Sequence, residues 1–169
     1  VLVVDAATGR TLASGSAPHP DGTSVDPAHW LSALRTAWRQ VGVPERDDVL
    51  AVSVAGQQHG MVALDAEGTP VHDALLWNDV RSAPQATRML EEHGPRWWME
   101  RVGMSPVPSM TLSKLAWLAE NEPGAASRVA RVMLPHDWLT LQLCGECVTD
   151  RSDASGTGYF DPSTNRYRP

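Results

Sequence analysis

The chain has 169 residues, 42% of them hydrophobic, which is enough for one ordinary domain with its own core. Its formal net charge is -6, and its 14 basic residues are scattered rather than gathered into a stripe, so the footprint of a nucleic-acid partner is missing. No run approaches the roughly 20 apolar residues that span a bilayer, and no basic stretch with an apolar run and cleavage site opens the sequence, so we read a soluble, cytoplasmic domain with no membrane partner.

Val1 to Asp5 is a short β-branched run, and with Ala6-Ala7-Thr8-Gly9 and Arg10 to Ala17 it predicts a hairpin. A terminus that opens on an apolar strand without an initiator methionine predicts that residues before it are missing. Asp26-Pro27 predicts a helix start, with Trp30, Leu31, Leu34, Ala37, Trp38 and Val41 recurring at helical spacing and Gly42 closing it. Val49 to Ala55 predicts a buried strand that runs into Gly56-Gln57-Gln58-His59-Gly60, after which Met61 to Leu64 resumes the apolar pattern. Asp65 to Gly68 is the next turn, and Ala74 to Trp77 leads into a second polar cluster, Asn78-Asp79-Val80-Arg81.

Pro84 to His93 predicts a helix stopped by Gly94-Pro95, and Gly103 to Pro108 a loop. Ser113 to Glu120 predicts a helix ending near Pro123, with another starting within Ala125 to Val129. Val132 to Leu134 resembles a short strand, Pro135-His136-Asp137 a capping turn, and Trp138 to Leu143 a helix ended by Gly145. The segment Val148 to Thr157 packs hydroxyls, carboxylates and glycine into ten residues.

Several of these residue sets suit chemistry. Gln57, Gln58 and His59 donate and accept in several directions, which suits a polyhydroxylated ligand or a turn that satisfies its own backbone. Asp79 and Arg81 read as part of a site or as an ordinary ion pair. Asp150 and Asp153 read as a metal pair or, better, as an Asx-type turn, since further acidic ligands and the spacing of a calcium loop are missing. Cys144-Gly145-Glu146-Cys147 has the spacing of a zinc or dithiol pair, but no second ligand pair completes a zinc set, so two incidental thiols at the end of a buried helix is the reading. Trp30, Trp38, Trp117 and Trp138 fall at core spacings; Trp77 borders the second polar cluster, where core packing still outweighs a sugar-stacking role. Neither a Gly-x-x-x-x-Gly-Lys-Ser/Thr loop nor a Gly-x-Gly-x-x-Gly fingerprint occurs. The residues by themselves describe a soluble α/β domain with polar clusters after strands, suited to a small polar ligand.

Three segments in this order, Gly56 to Gly60, Leu76-Trp77-Asn78-Asp79-Val80-Arg81 and Thr149 to Thr157, resemble the FGGY family of carbohydrate kinases, and within it the xylulokinases. Leu134-Pro135-His136-Asp137-Trp138-Leu139 resembles that family's Leu-Pro-Lys-Asp-Tyr-Leu, with His136 and Trp138 as departures. The resemblance implies an actin-like, ribonuclease H-like α/β domain with a mixed sheet flanked by helices, truncated at its first strand. It further implies that the chain, 1–169, is a single sugar-binding domain without the phosphate-loop strand before it and the ATP-binding domain after it. The implied reaction of the intact enzyme converts ATP and D-xylulose to ADP and D-xylulose 5-phosphate with Mg2+, the catalytic base lying outside this chain and the fragment being inactive alone. The implied substrate ligands are Gln58 and His59, with Asp79 and Arg81 shaping the same pocket and Gln57, Trp77, Asn78 and Asp153 completing the set; a homodimer is expected at full length. Another FGGY kinase with a different sugar, and a non-catalytic sugar-binding module, are the alternatives.

Overall fold

The computed structural model describes residues 1–42 and 48–168. Its centre is the strand Val62–Leu64 (β4), whose period-2 alternation feeds two cores. Val62 and Leu64 join Trp30, Trp138, Val25, Ala74, Leu76 and Met133 on one face, while Met61 and Ala63 join Leu75, Val71 and Leu118 on the other. Both faces are therefore covered by helices, Ala28–Gln40 (α1) and Pro135–Cys144 (α5) on the first and Thr111–Asn121 (α3) on the second. This is the layered α/β arrangement expected from the sequence.

The pairings run antiparallel. β4 pairs with Arg131–Met133 (β6) on one side, and on the other Met61 exchanges backbone hydrogen bonds of 2.8 and 3.1 Å with Leu75 of Ala74–Leu75 (β5). β5 in turn pairs with Ser24–Val25 (β3), so the spatial order is β3, β5, β4, β6. Leu2–Val4 (β1) and Thr11–Ser14 (β2) form the predicted hairpin, and Phe160–Asp161 (β7) pairs with Arg166–Tyr167 (β8).

The expected strand at Val49 to Ala55 joins no ladder among the described residues. A strand needs a neighbour to take its N–H and C=O groups, and here neither flank supplies one; Leu50 is 81% exposed. The parallel component of the expected mixed sheet is accordingly not seen among the described residues, where every ladder is antiparallel.

The helices follow the sequence with three adjustments. Ala83–Val102 (α2) runs through Gly94, whose φ of 76° breaks the helix where predicted, but Pro95 then starts a second helical stretch instead of ending the element. Pro123–Ala126 (α4) begins two residues earlier than the expected window, with Pro at its first turn. Pro135, His136 and Asp137 form the first turn of α5 itself rather than a turn ahead of it. The sixth helix, Arg151–Ser155 (α6), is capped by Asp150, which accepts from the Asp153 N–H at 2.9 Å, so the Asx-type turn is realised. Among the described residues no helix is long and apolar enough to cross a membrane.

Candidate functional site

The turn at residues 56–60 is seated on the start of α5 by close backbone approach. A Cβ on Gly56 would stand 2.8 Å from the His136 Cβ, and one on Gly60 2.6 Å from Pro135 Cγ, so only glycine fits at either position. Between them the three polar side chains reach separate partners. Gln57 Oε1 accepts from the Trp77 backbone N–H at 3.0 Å, Gln58 Nε2 donates to Asp153 Oδ1 at 3.0 Å, and His59 Nδ1 lies 2.8 Å from Gly156 O. The three motif segments, distant in sequence, are thereby tied together.

The His59 contact fixes its chemistry. A carbonyl oxygen only accepts, so Nδ1 carries the proton, and in the neutral ring Nε2 holds the lone pair. Nε2 makes no hydrogen bond among the described residues and remains available to a ligand hydroxyl. His59 itself sits at φ 67°, and its carbonyl accepts from Thr111 Oγ1 at 3.3 Å, which binds the turn to α3.

Trp77, which carries the contact to Gln57, is followed by Asp79 and Arg81, whose roles separate. Asp79 is 2% exposed, and both its oxygens accept from Arg81 Nε, at 2.9 and 3.0 Å. Burial pushes its carboxyl upward, but the hydrogen bonds from Arg81 and Thr23 outweigh this and hold it below its ordinary value. Asp79 is spent on orienting Arg81. The Arg81 guanidinium lies over the Trp117 ring, 4.9 Å from its centroid, and its terminal nitrogens make no hydrogen bond among the described residues. Trp77 is 57% exposed, so the core-packing reading of that residue does not hold, and Asn78 is exposed beside it. Cys144 and Cys147 are free and exposed at the end of α5, not buried.

Two features of the site escaped the sequence reading. Lys114 is completely buried beneath the loop, its Nζ donating to the carbonyls of Ser109 at 2.7 Å, Pro108 at 2.8 Å and Asp79 at 3.4 Å. Desolvation lowers its ammonium from 10.5 to about 8, with nearby Asp79 opposing the shift. The signal was a lone lysine on the apolar face of α3, three residues after Thr111 and four before Leu118. The second is His136, which stands among Asp137, Asp150 and Asp153 at 2.8 to 3.2 Å.

The N-terminal-domain profile of the FGGY carbohydrate kinases matches residues 6–169. The chain belongs to this family. It is 55% identical to a xylulose kinase of Streptomyces coelicolor and 53% identical to one of Streptomyces rubiginosus, in each case over 98% of this chain and 35% of the relative. The crystal structure of xylulose kinase from Bifidobacterium adolescentis superposes with a TM-score of 0.94 at 45% identity, covering 99% of this chain and 38% of that one. This FGGY chain thus spans about a third of the length of the relatives it matches. The actin-like fold expected from the motifs is that of these neighbours.

The glycines of the motif segments do not form an open cradle for the phosphates of ATP. A phosphate cradle needs backbone N–H groups open to the ligand beside glycines, but Gly56 faces His136, Gly60 faces Pro135, Gly156 faces His59 and Gly158 faces Met110. A groove of about 590 Å³ runs past Gly56 and Gln57 between α1 and α5, lined on its other side by Gly15 and Ser16.

Proposed function

We propose that this FGGY chain supplies the sugar-side wall of an ATP-dependent kinase that converts D-xylulose to D-xylulose 5-phosphate, the nucleotide, magnesium and catalytic base being held outside it. The reading is carried by the wiring of the three motif segments, Gln57 to Trp77 and Gln58 to Asp153 with His59 to Gly156. Its choice of sugar is supported by the 55% identity to the Streptomyces coelicolor xylulose kinase.

In this reading His59 Nε2 accepts a hydroxyl hydrogen of the sugar, and Gln58 presents the carbonyl end of an amide whose NH2 is held by Asp153. Arg81, aimed by Asp79, donates to oxygens of the ligand, and exposed Trp77 offers the apolar face of its indole. Pre-set donors and acceptors of this kind discriminate sugars by the hydroxyls they match, because a mismatched sugar leaves polar groups unpaired. Orientation is the contribution of these residues to a phosphoryl transfer, whose catalysis is mainly positioning and charge stabilisation.

The test is turnover by the full-length protein with ATP across D-xylulose, D-ribulose, L-ribulose, glycerol and gluconate. Preference for D-xylulose is the expected result. Preference for another sugar removes the xylulose assignment, and no turnover with any of them favours a non-catalytic sugar-binding module.

A further inference from the structure

The first turn of α5 and the start of α6 hold one imidazole between three carboxylates. His136 Nδ1 is 2.8 Å from Asp153 Oδ2, and on the opposite edge of the ring Nε2 is 3.2 Å from both Asp150 Oδ2 and Asp137 Oδ1. A neutral imidazole has one N–H and one bare lone pair, so in that form a carboxylate oxygen stands against a lone pair on one edge or the other. Only the doubly protonated ring turns a positive edge to both sides. Asp137 and Asp153 also accept elsewhere, from the Leu134 N–H and from Gln58, and the Asp153 contact with the ring is an ion pair rather than an aligned hydrogen bond. Charge is therefore what the ring contributes.

The surroundings supply no substitute. Asp137 comes from α5 itself, Asp150 and Asp153 from the cap and first turn of α6, and the turn at 56–60 sets only the Gly56 backbone against the His136 Cβ. Among the described residues no lysine or arginine lies within salt-bridge reach of the three carboxylates. Tyr159 and Tyr167, which sense the charge of Asp137, are pushed upward by burial and stay neutral.

Asp153 passes the effect on. Its Oδ2 faces His136 while its Oδ1 accepts from Gln58 Nε2 at 3.0 Å, so imidazole, carboxylate and amide form one chain. When the ring gives up a proton, Nε2 has the stronger hold on its own, because it faces two carboxylates and one of them, Asp137, is only 5% exposed. The proton lost is that of Nδ1. A bare Nδ1 then repels Asp153 Oδ2, and the Gln58 amide loses its fixed partner.

We infer that His136 is a positioning residue for the sugar: its protonated ring holds Asp153, Asp153 holds the Gln58 amide, and loss of the Nδ1 proton loosens that hold as pH rises. The inference rests on Gln58 being a sugar ligand. Lysine, which the family's motif carries at this position, stays a cation throughout the neutral range. Histidine makes the same support dependent on pH.

The test is D-xylulose kinetics of the full-length protein at saturating ATP, from roughly pH 6 to pH 9, for wild type, His136→Lys and Asp153→Asn. The ratio of the wild-type KM to the His136→Lys KM should climb about tenfold with pH, while the ratio of kcat values changes by less than about threefold. Asp153→Asn still offers Gln58 an oxygen but turns no charge to the ring, so it should lose the dependence as well. A constant KM ratio, or a wild-type dependence that Asp153→Asn retains, overturns the inference. 15N NMR of the ring without sugar, its signals assigned by their loss in His136→Gln, gives a reading free of the substrate: Nδ1 should be the nitrogen that loses its proton as pH rises. Loss from Nε2 overturns the inference even where D-xylulose is turned over. Absence of turnover by the wild type at every pH sinks the sugar reading, and the inference with it.

Discussion

Replacing Lys114 with methionine separates the charge of the buried ammonium from the bulk of its stem. Three carbonyls, those of Pro108, Ser109 and Asp79, lose their donor in the variant, and each unsatisfied buried acceptor costs about 1–3 kcal/mol before relaxation. Against this, lowering the ammonium from 10.5 to about 8 means the native fold spends about 3 kcal/mol keeping it charged at neutral pH. The net loss at neutral pH is therefore about 0–6 kcal/mol before relaxation. The pH dependence is the sharper readout. Between pH 8 and 10.5 the unfolded chain retains the Lys114 proton while the folded chain has released it, so stability rises with pH over that window. Below pH 8 both states are protonated and the full penalty applies. Urea unfolding of wild type and Lys114→Met at several pH values gives the difference, in which other titrations cancel. The wild type should gain on the variant by about 3 kcal/mol in total across the window. A difference that stays flat there shows that Lys114 titrates normally and refutes the desolvation argument.

His59→Ala in the full-length protein should lower kcat/KM for D-xylulose by about 30-fold, or about 2 kcal/mol, from the loss of a matched polar group; unchanged kinetics would remove His59 from the pocket. Gly156→Ala places a methyl 2.4 Å from His59 Cε1 at a backbone of φ -84° that alanine adopts freely, so it should displace the ring with little backbone strain. KM should rise about tenfold while the thermal midpoint moves little, and a normal KM would show that the ring position is immaterial. Arg81→Lys replaces a two-oxygen contact on buried Asp79 with a single ammonium and should cost about 1–3 kcal/mol in urea unfolding; a neutral result would mean that Asp79 is satisfied without the guanidinium.

The elements that were legible in the sequence are those with strong local signals. The hairpin at the start, α1 after Asp26-Pro27, and the Gly145 stop of α5 needed nothing beyond turn and cap chemistry. The segment Val49 to Ala55 shows the limit of that logic, because an apolar β-branched run specifies extended backbone but not the neighbour that makes it a strand. The motif residues could be named from sequence, but their division of labour could not. Asp79 and Arg81 read as equals until burial showed that one holds the other. His136 appeared only as a departure in Leu134 to Leu139, since its partners Asp150 and Asp153 lie 14 and 17 positions further along and are brought to it only by the packing of α6 on α5.

Glycine explains why the motif turns are built as they are. In the first turn, Gly56 and Gly60 let the backbone press against His136 and Pro135, which brings Gln58 within reach of Asp153. In the last, Gly156 accepts the His59 ring against its Cα, which sets the hydrogen bond to its own carbonyl. Each glycine therefore acts through a side chain on the opposite segment, and the two turns specify one another. It follows that a methyl at 56 and a methyl at 156 should not act independently: the first displaces α5 and with it Asp153, the second displaces His59. Both would loosen the same contact surface. Their combined effect on sugar use should fall short of the sum of the two single effects, as it does for residues that share one network. Strict additivity in a double-mutant cycle would mean that the turns bind the ligand separately and that the wiring between them is incidental.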